Sequence, residues 1–331
     1  MMNVRILNPY GKGGAGGTEK AGIRARLARK AKPLLNDLAA RLYESVGNPM
    51  PLAIEVETIN RCNSDCGFCP VNRNVDPREY MKMTDQLIDK IARELGERDY
   101  DGLLGLFSNN EPLLDRRIVE ICRTFRTQAP RAYIYIYTNG MRLDSTTYTG
   151  LFDAGLDELI VDNYDDDLEL IEPVRELLAW LNSVGTEKLE HYKSRTTVVL
   201  RKKTEVLTNR GGTAPNKSVI EFMDFSYLAG NSCTLPYIQM VIRPSGEISL
   251  CCQDATGKVT LGDLSKQSIH EVWNGQIYKT IRNDLKTTGR KALDVCKNCD
   301  VTILYSAIPK KAIYERLGQK DRFRICSQGE E

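Results

Sequence analysis

Residues 52–70 read LAIEVETINRCNSDCGFCP. Leu52–Thr58 is a near-continuous apolar run and reads as a strand. Cys62, Cys66 and Cys69 follow on a short loop in CxxxCxxC spacing. At the end of a parallel strand such a loop lies at the C-terminal mouth of the sheet, where catalytic groups collect. Three thiolates can hold three irons of a 4Fe–4S cubane and leave the fourth without a protein ligand. A catalytic metal centre keeps such an open position. The competing reading is structural zinc, but zinc usually takes four closed ligands, and this loop supplies three with no histidine nearby. Phe68 lies between the last two cysteines and can shield the site or pack on a planar ligand.

Outward from this stretch, strands and helices alternate. Helices are predicted at Thr84–Arg98, Arg116–Thr127, Thr146–Ala154 and Leu168–Val184, with Thr84 as an N-cap. Strands are predicted at Gly102–Phe107, Ala132–Tyr137, Leu159–Val161 and Thr196–Leu200, and a sixth at Val219–Phe225. That rhythm implies parallel βαβ units and an α/β fold. It breaks near residue 230. Ile238–Arg243 and Glu247–Cys251 then read as a hairpin across Pro244-Ser245-Gly246. Helices follow at Ser268–Trp273 and Gln276–Leu285.

The N-terminal residues are read as irregular. GKGGAG (11–16) formally fits G-x-G-x-x-G but lacks a βαβ setting and is taken as a loop. From Thr18, a helical stripe of Leu27, Ala31, Leu34, Leu38 and Leu42 carries a basic first half, read as a solvated face.

The chain has 331 residues, 46 Lys plus Arg against 44 Asp plus Glu, and a formal charge of +2. That near-balance implies no polyanion surface, so no nucleic-acid partner is expected. No run approaches the roughly 18 apolar residues of a membrane span, so no membrane partner is expected either. No secretory h-region precedes the first strand, and a cytoplasmic location is expected. The two histidines, His191 and His270, make multi-histidine metal catalysis a poor fit. Ten cysteines are the anomaly. In a reducing compartment they point to metal ligation or redox chemistry before disulfides. Cys122, on a helix, is read as core packing.

CNSDCGFC after a first strand resembles the signature of the radical S-adenosylmethionine (SAM) enzymes. The resemblance implies a partial (β/α)6 TIM-type barrel in which Cys62, Cys66 and Cys69 hold a 4Fe–4S cluster. Its open iron would bind SAM, whose reductive cleavage gives methionine and a 5′-deoxyadenosyl radical. An electron donor such as flavodoxin or ferredoxin is implied. Phe68 would contact the adenine region. SNNEPLL (108–114) is similar to the family's Gly-Gly-Glu motif, with Asn109 and Asn110 replacing the glycines. Glu111 would then accept from the SAM ammonium, a charge-assisted contact. YTNG (137–140) brings Asn139 to the same site. Arg201 is the candidate donor to the SAM carboxylate.

Cys233, then Gly246 and Cys251, then CKNC at Cys296 and Cys299, resemble the SPASM/twitch extension of these enzymes. GKVTLGDLSKQSIHEVW (257–273) resembles it too. The shorter, twitch form is expected, since only Cys326 lies beyond Cys299. Its single auxiliary 4Fe–4S cluster would be held by Cys233, Cys251, Cys296 and Cys299. Zinc would satisfy the same four thiolates. The expected organisation is an N-terminal loop and helix over 1–50, the barrel over 51–230 and a small α+β auxiliary-cluster region over 231–331.

The chain resembles the carbohydrate-modifying dehydrogenases of the family. A small sugar-like or cyclitol-like alcohol is the implied substrate, with the auxiliary cluster accepting an electron. Three alternatives stay open. In the first, Cys252 donates a hydrogen atom and the enzyme is an epimerase. In the second, the substrate is a peptide, although no peptide-recognition segment precedes the trio. In the third, the chain is a non-enzymatic metal scaffold. Arg210, with Asn209 and Asn216 in the loop before Cys233, is a candidate substrate contact.

Overall fold

The computed structural model describes residues 4–7, 50–205, 208–217 and 230–301. The GKGGAG loop, the basic helix, the strand expected at 219–225 and Cys326 lie outside the described residues.

Among the described residues nine strands form one sheet. In chain order they are β1 (Arg5–Leu7), β2 (Ala53–Val56), β3 (Leu103–Gly105), β4 (Tyr133–Thr138), β5 (Glu158–Tyr164), β6 (Thr196–Arg201), β7 (Gln239–Ile242), β8 (Glu247–Ser249) and β9 (Thr260–Asp263). Their spatial order is β1-β6-β5-β4-β3-β2-β7-β8-β9. Every pair from β1 across to β7 is parallel, and the β7–β8 and β8–β9 pairs are antiparallel. The crossovers of the parallel part carry α1 (Asp85–Glu97), α2 (Ile118–Gln128), α3 (Ser145–Asp153), α4 (Glu172–Ser183) and α5 (Glu187–Lys193). Beyond them lie α6 (Leu235–Ile238), α7 (Ile269–Trp273) and α8 (Gln276–Thr287). Among the described residues β1 and β9 are its edges and the sheet is open, as in a partial barrel.

Strand β2 is buried at every position because it has cover on both faces. Ile54 and Val56 join the large cluster that includes Leu87, Ile88, Ile91 and Leu95 of α1. Ala53 turns the other way and joins Leu103, Phe107, Tyr135 and Ile160 inside the barrel. By the period of two, Glu55 shares that inner face. Each fully buried aliphatic side chain contributes about 1.5–3 kcal/mol, so the two faces fix the strand register. Thr84 caps α1 as expected, its side chain accepting from the Leu87 N–H at 3.2 Å. Cys122 is wholly buried in α2.

Three elements differ from the sequence reading. Residues 5–7 were read as irregular, yet they form β1, in register with β6 from Arg5↔Thr197 to Leu7↔Val199. Helix α5 was missed because only Leu189, Tyr192 and Lys193 of its seven residues are buried, too few for a stripe. Residues 260–263, given no strand in the sequence reading, form the paired strand β9. The hairpin stands where it was placed, and Gly246 supplies the φ of 89° its turn needs. Its first strand also pairs with β2, Ala53↔Gln239 to Val56↔Ile242, so the sheet continues across the break in rhythm near residue 230.

The connection from the cysteine loop to α1 is held by Arg78, whose side chain is 10% exposed. It donates to Glu57 at 2.8 Å, to Asp76 at 2.9 Å and to the Asn109 carbonyl at 2.9 Å. Glu57 is 1% exposed, and burial pushes it up to about 7 although Arg78 pulls it down. Arg78→Met is expected to destabilise the fold by about 3–5 kcal/mol at pH 8, because it leaves a buried carboxylate unpaired. The loss should shrink at pH 6, where Glu57 takes up a proton. Urea unfolding at both pH values checks this, and equal losses would count against it.

Candidate active site

A cavity of about 210 Å³ opens where the parallel strands end. Cys62, Cys66 and Cys69 form one wall of it. Their loop is wound tightly. The Cys69 N–H donates to the Cys66 carbonyl at 3.1 Å, and the buried Asn72 amide donates to the Cys66 and Cys69 carbonyls at 3.0 and 2.9 Å. Donors also reach the sulfurs. The Ser64 N–H lies 3.4 Å from the Cys62 Sγ, and the Ser64 hydroxyl lies 3.0 Å from the Cys66 Sγ. Burial pushes the Cys62 and Cys66 thiols up to about 12, so a bound metal would have to displace their protons.

Phe68, 4% exposed, lines the cavity and packs on Tyr164 with ring centroids 5.7 Å apart. Glu111 is 1% exposed, and burial pushes it up to about 7. Its Oε1 accepts from the Thr138 hydroxyl at 2.7 Å and the Leu113 N–H at 3.0 Å. Its Oε2 accepts from the Asn139 N–H at 2.7 Å. A carboxylate has about four acceptor positions, so one remains for a ligand. Asn110 accepts from the Ser108 N–H through Oδ1, while its buried Nδ2 has no partner among the described residues. The Asn139 amide donates to Asn63 at 2.8 Å and lies 3.8 Å from the Cys62 Sγ. The turn after it needs Gly140, at φ 74°, because a Cβ there would press within 2.8 Å of Val161 and Val174.

Arg201 also reaches the cavity wall, with its guanidinium held by Asp162 at 2.8 Å and Glu205 at 3.3 Å. Cys252 and Arg210 line the same cavity, and the Arg210 Nη1 donates to the Cys252 carbonyl at 3.3 Å. Arg210 is a non-glycine residue at φ 50°. Its neighbour Asn209 turns away: its N–H donates to Asp300 at 2.8 Å and its amide to the Asn298 carbonyl. Asn216 donates to the Glu205 carbonyl at 3.1 Å and does not line the cavity.

Sequence reading missed Glu55 and Gln239, both 1% exposed. Glu55 lines the cavity, accepting from the Ser108 hydroxyl at 2.8 Å and from Gln239 at 2.7 Å. Gln239 accepts the Cys252 N–H at 3.3 Å, so one amide joins the glutamate to the cysteine turn. Burial pushes Glu55 up to about 7, against the pull of Ser108 and Arg210. A polar residue at i+2 from Ala53 in an otherwise apolar strand was the available signal.

Cys233, Cys251, Cys296 and Cys299 line a second pocket together with Arg290. Arg210 lines both pockets. Cys251 and Cys252, just past β8, thus face different cavities. Among the described residues no three His, Cys, Asp or Glu groups converge tightly enough for a single metal ion. A cubane asks for less convergence, since each thiolate binds a different corner. Sulfur-directed donors at the trio, an unmade amide donor on Asn110 and a spare acceptor on Glu111 fit a thiolate-held cluster beside a zwitterionic ligand. Four neighbouring thiols fit a second, closed cluster.

The radical SAM superfamily model matches residues 56–178. A SPASM model, described as an iron–sulfur cluster-binding domain, matches residues 233–300. A curated relative, the S-adenosyl-L-methionine-dependent 2-deoxy-scyllo-inosamine dehydrogenase of Niallia circulans, is 28% identical over 247 residues, covering 75% of this chain and 92% of the relative. The crystal structure of BtrN in complex with AdoMet and 2-DOIA matches at TM-score 0.63 and 25% identity, over 76% of this chain and 94% of that one. BtrN in an open conformation, 22% identical at TM-score 0.56 over 76% of this chain and 93% of that one, shares the fold. Among the described residues no helix is long and apolar enough to cross a membrane. The chain carries a radical SAM domain followed by a SPASM domain, and the two make it an oxidoreductase that uses SAM, with a 4Fe–4S cluster in each.

Proposed function

We propose that this enzyme oxidises an alcohol carbon of a small hydroxylated ring, a sugar or cyclitol, to a ketone. One observation carries the reading. The cysteine trio and the polar groups Glu55, Arg210 and Cys252 line one cavity, and Arg210 also borders the second thiol nest. Cys62, Cys66 and Cys69 would hold the SAM-binding cluster, and Cys233, Cys251, Cys296 and Cys299 a single auxiliary one. Bound there, SAM and the two clusters would supply hydrogen-atom abstraction from the substrate carbon and an acceptor for the electron left behind. The protein supplies position, a base and dryness. Glu55 takes the hydroxyl proton, and Arg210 holds the oxygen as it becomes a carbonyl. The left-handed backbone of Arg210, costly for a bulky residue, supports a functional placement. Phe68, Asn110, Glu111 and Asn139 seat the nucleotide, with Arg201 beside them.

The relative's dehydrogenase activity supports the substrate class. The same reading places residues 51–230 in the barrel and 231–331 in the auxiliary region. It also places the enzyme in the reducing cytoplasm, supplied with electrons by a flavodoxin- or ferredoxin-type donor.

The test uses 2-deoxy-scyllo-inosamine and related cyclitols, deuterated at the carbinol carbons, with reduced enzyme and SAM. Deuterium should appear in 5′-deoxyadenosine in step with a carbonyl product, and Cys252→Ala should keep turnover within about twofold of the parent. The placing of Cys252 on the cavity wall favours a second reading, epimerisation. Solvent deuterium on an inverted carbon, no ketone, and loss of turnover in Cys252→Ala would establish it instead. Transfer from none of these ring alcohols would overturn both readings.

A further inference from the structure

Arg290 opens the short turn Arg290–Ala292 just before the CKNC segment. It is 1% exposed and is among the largest fully buried side chains. Its backbone N–H donates to the Asn231 carbonyl at 3.1 Å, and its Nη1 donates to the Cys299 carbonyl at 3.0 Å. Its Nε and Nη2 are buried and have no hydrogen-bond partner among the described residues. The same side chain lines the pocket of Cys233, Cys251, Cys296 and Cys299.

A guanidinium taken out of water with two donors unmade is strongly unfavourable, and a buried anion that accepts from them is the partner that answers both the charge and the donors. Neither nearby acid hydrogen-bonds to these two donors. Asp254 lines the pocket, but its oxygens accept from the Lys258 and Val259 N–H groups at 2.8 and 2.9 Å. Asp300 accepts from the Asn209 N–H at 2.8 Å and feels the charge of Arg290, but its other oxygen is without a hydrogen-bond partner among the described residues, so no hydrogen bond joins it to the free Nε and Nη2. The remaining candidate is the thiol nest. A cubane held by four thiolates is a net anion and gains a further negative charge on reduction. Hydrogen bonds and positive charge at the sulfurs raise its potential.

We infer that Arg290 is the charge and hydrogen-bond partner of the auxiliary cluster, favouring its reduced form and so setting how readily it accepts an electron. The inference rests on the proposal that these four cysteines hold a four-iron cluster. Arg290 touches no substrate, and it acts as a positioning residue through the cluster.

The experiment uses the full chain with Cys62→Ala, Cys66→Ala and Cys69→Ala, so that only the second site can load. It is reconstituted anaerobically with iron and sulfide, then titrated with dithionite and mediators while the electron paramagnetic resonance signal is followed. The step read is oxidised cluster plus one electron from dithionite giving reduced cluster. Against this parent, Arg290→Gln and Arg290→Met should each lower the ratio of reduced to oxidised cluster at fixed solution potential about tenfold. That is about 59 mV for one electron. Arg290→Lys, which keeps the charge without the fork, should recover part of the shift. Cluster loss in the neutral variants with retention in Arg290→Lys would also support the role. An unchanged midpoint in Arg290→Gln with four irons present would overturn it. So would loss of the cluster from all three variants with circular dichroism intact, which would mark Arg290 as an anchor for the Cys299 turn. If the parent itself takes up zinc or no four-iron cluster, the cluster proposal has failed, not the part given to Arg290.

Discussion

A chain carrying Cys62→Ala, Cys66→Ala and Cys69→Ala together is expected to cleave no SAM above background, a loss of at least about 10⁶-fold. It should still take up about four irons per chain, against about eight for the parent. The expectation rests on separation. The first three thiols line the large cavity and the other four line a different pocket, with no cysteine common to both. Removing one set removes the position at which SAM can be held, while the second nest keeps all four sulfurs. The loop should survive the change, because Asn72 grips it through the carbonyls of residues 66 and 69 rather than through sulfur. The readouts are 5′-deoxyadenosine by chromatography and iron by metal analysis. Residual cleavage within about a hundredfold of the parent would sink the assignment, as would loss of all iron.

The separation was legible because cysteine spacing is a local signal. A CxxxCxxC loop after a strand, and a CKNC far downstream, are written in consecutive residues. The parallel strands were legible for a related reason: β2 to β6 are buried on both faces, so their apolar runs are continuous. What stayed hidden depends on long-range pairing. Strand β1 is three exposed residues that pair, among the described residues, with β6 alone, nearly two hundred positions on. Helix α5 buries too little to show a stripe. The junction of β2 with β7 joins segments that composition had divided. At the site, Phe68, Glu111 and Asn139 could be named from motifs that follow directly on strands. Gln239 and Arg290 could not, since each matters through an atom that only the folded chain brings near. Asn209 and Asn216 illustrate the converse. Polar loop residues beside Arg210 were read as substrate contacts, but the backbone turns both toward capping and loop bonds.

Glu55→Gln is expected to lower ketone formation by about 10²- to 10⁴-fold, the usual contribution of a positioned base. Release of 5′-deoxyadenosine should persist and become uncoupled from product. Glu55 sits on the inner face of β2, on the cavity, with Ser108 and Gln239 donating to it. Burial pushes it up to about 7, close to the pH at which a base combines a large ionised fraction with useful basicity. The parental rate should therefore rise with pH up to about 7 and level above it, and that limb should vanish in the variant. Buried Glu57 and Glu111 are also pushed up to about 7, so persistence of the limb in Glu55→Gln would move the base elsewhere. The same displacement has a stability consequence of definite sign. The native state binds this proton more tightly than the unfolded chain does, so Glu55 is least unfavourable at low pH. Its contribution worsens as pH rises from 4.5 through about 7, by up to about 3 kcal/mol. A neutral amide avoids that cost, so Glu55→Gln should melt higher than the parent at pH 8 while making far less ketone. A merely structural glutamate would move both quantities down together. A more stable, uncoupled enzyme is the signature of a carboxylate kept in an unfavourable place for the proton it removes.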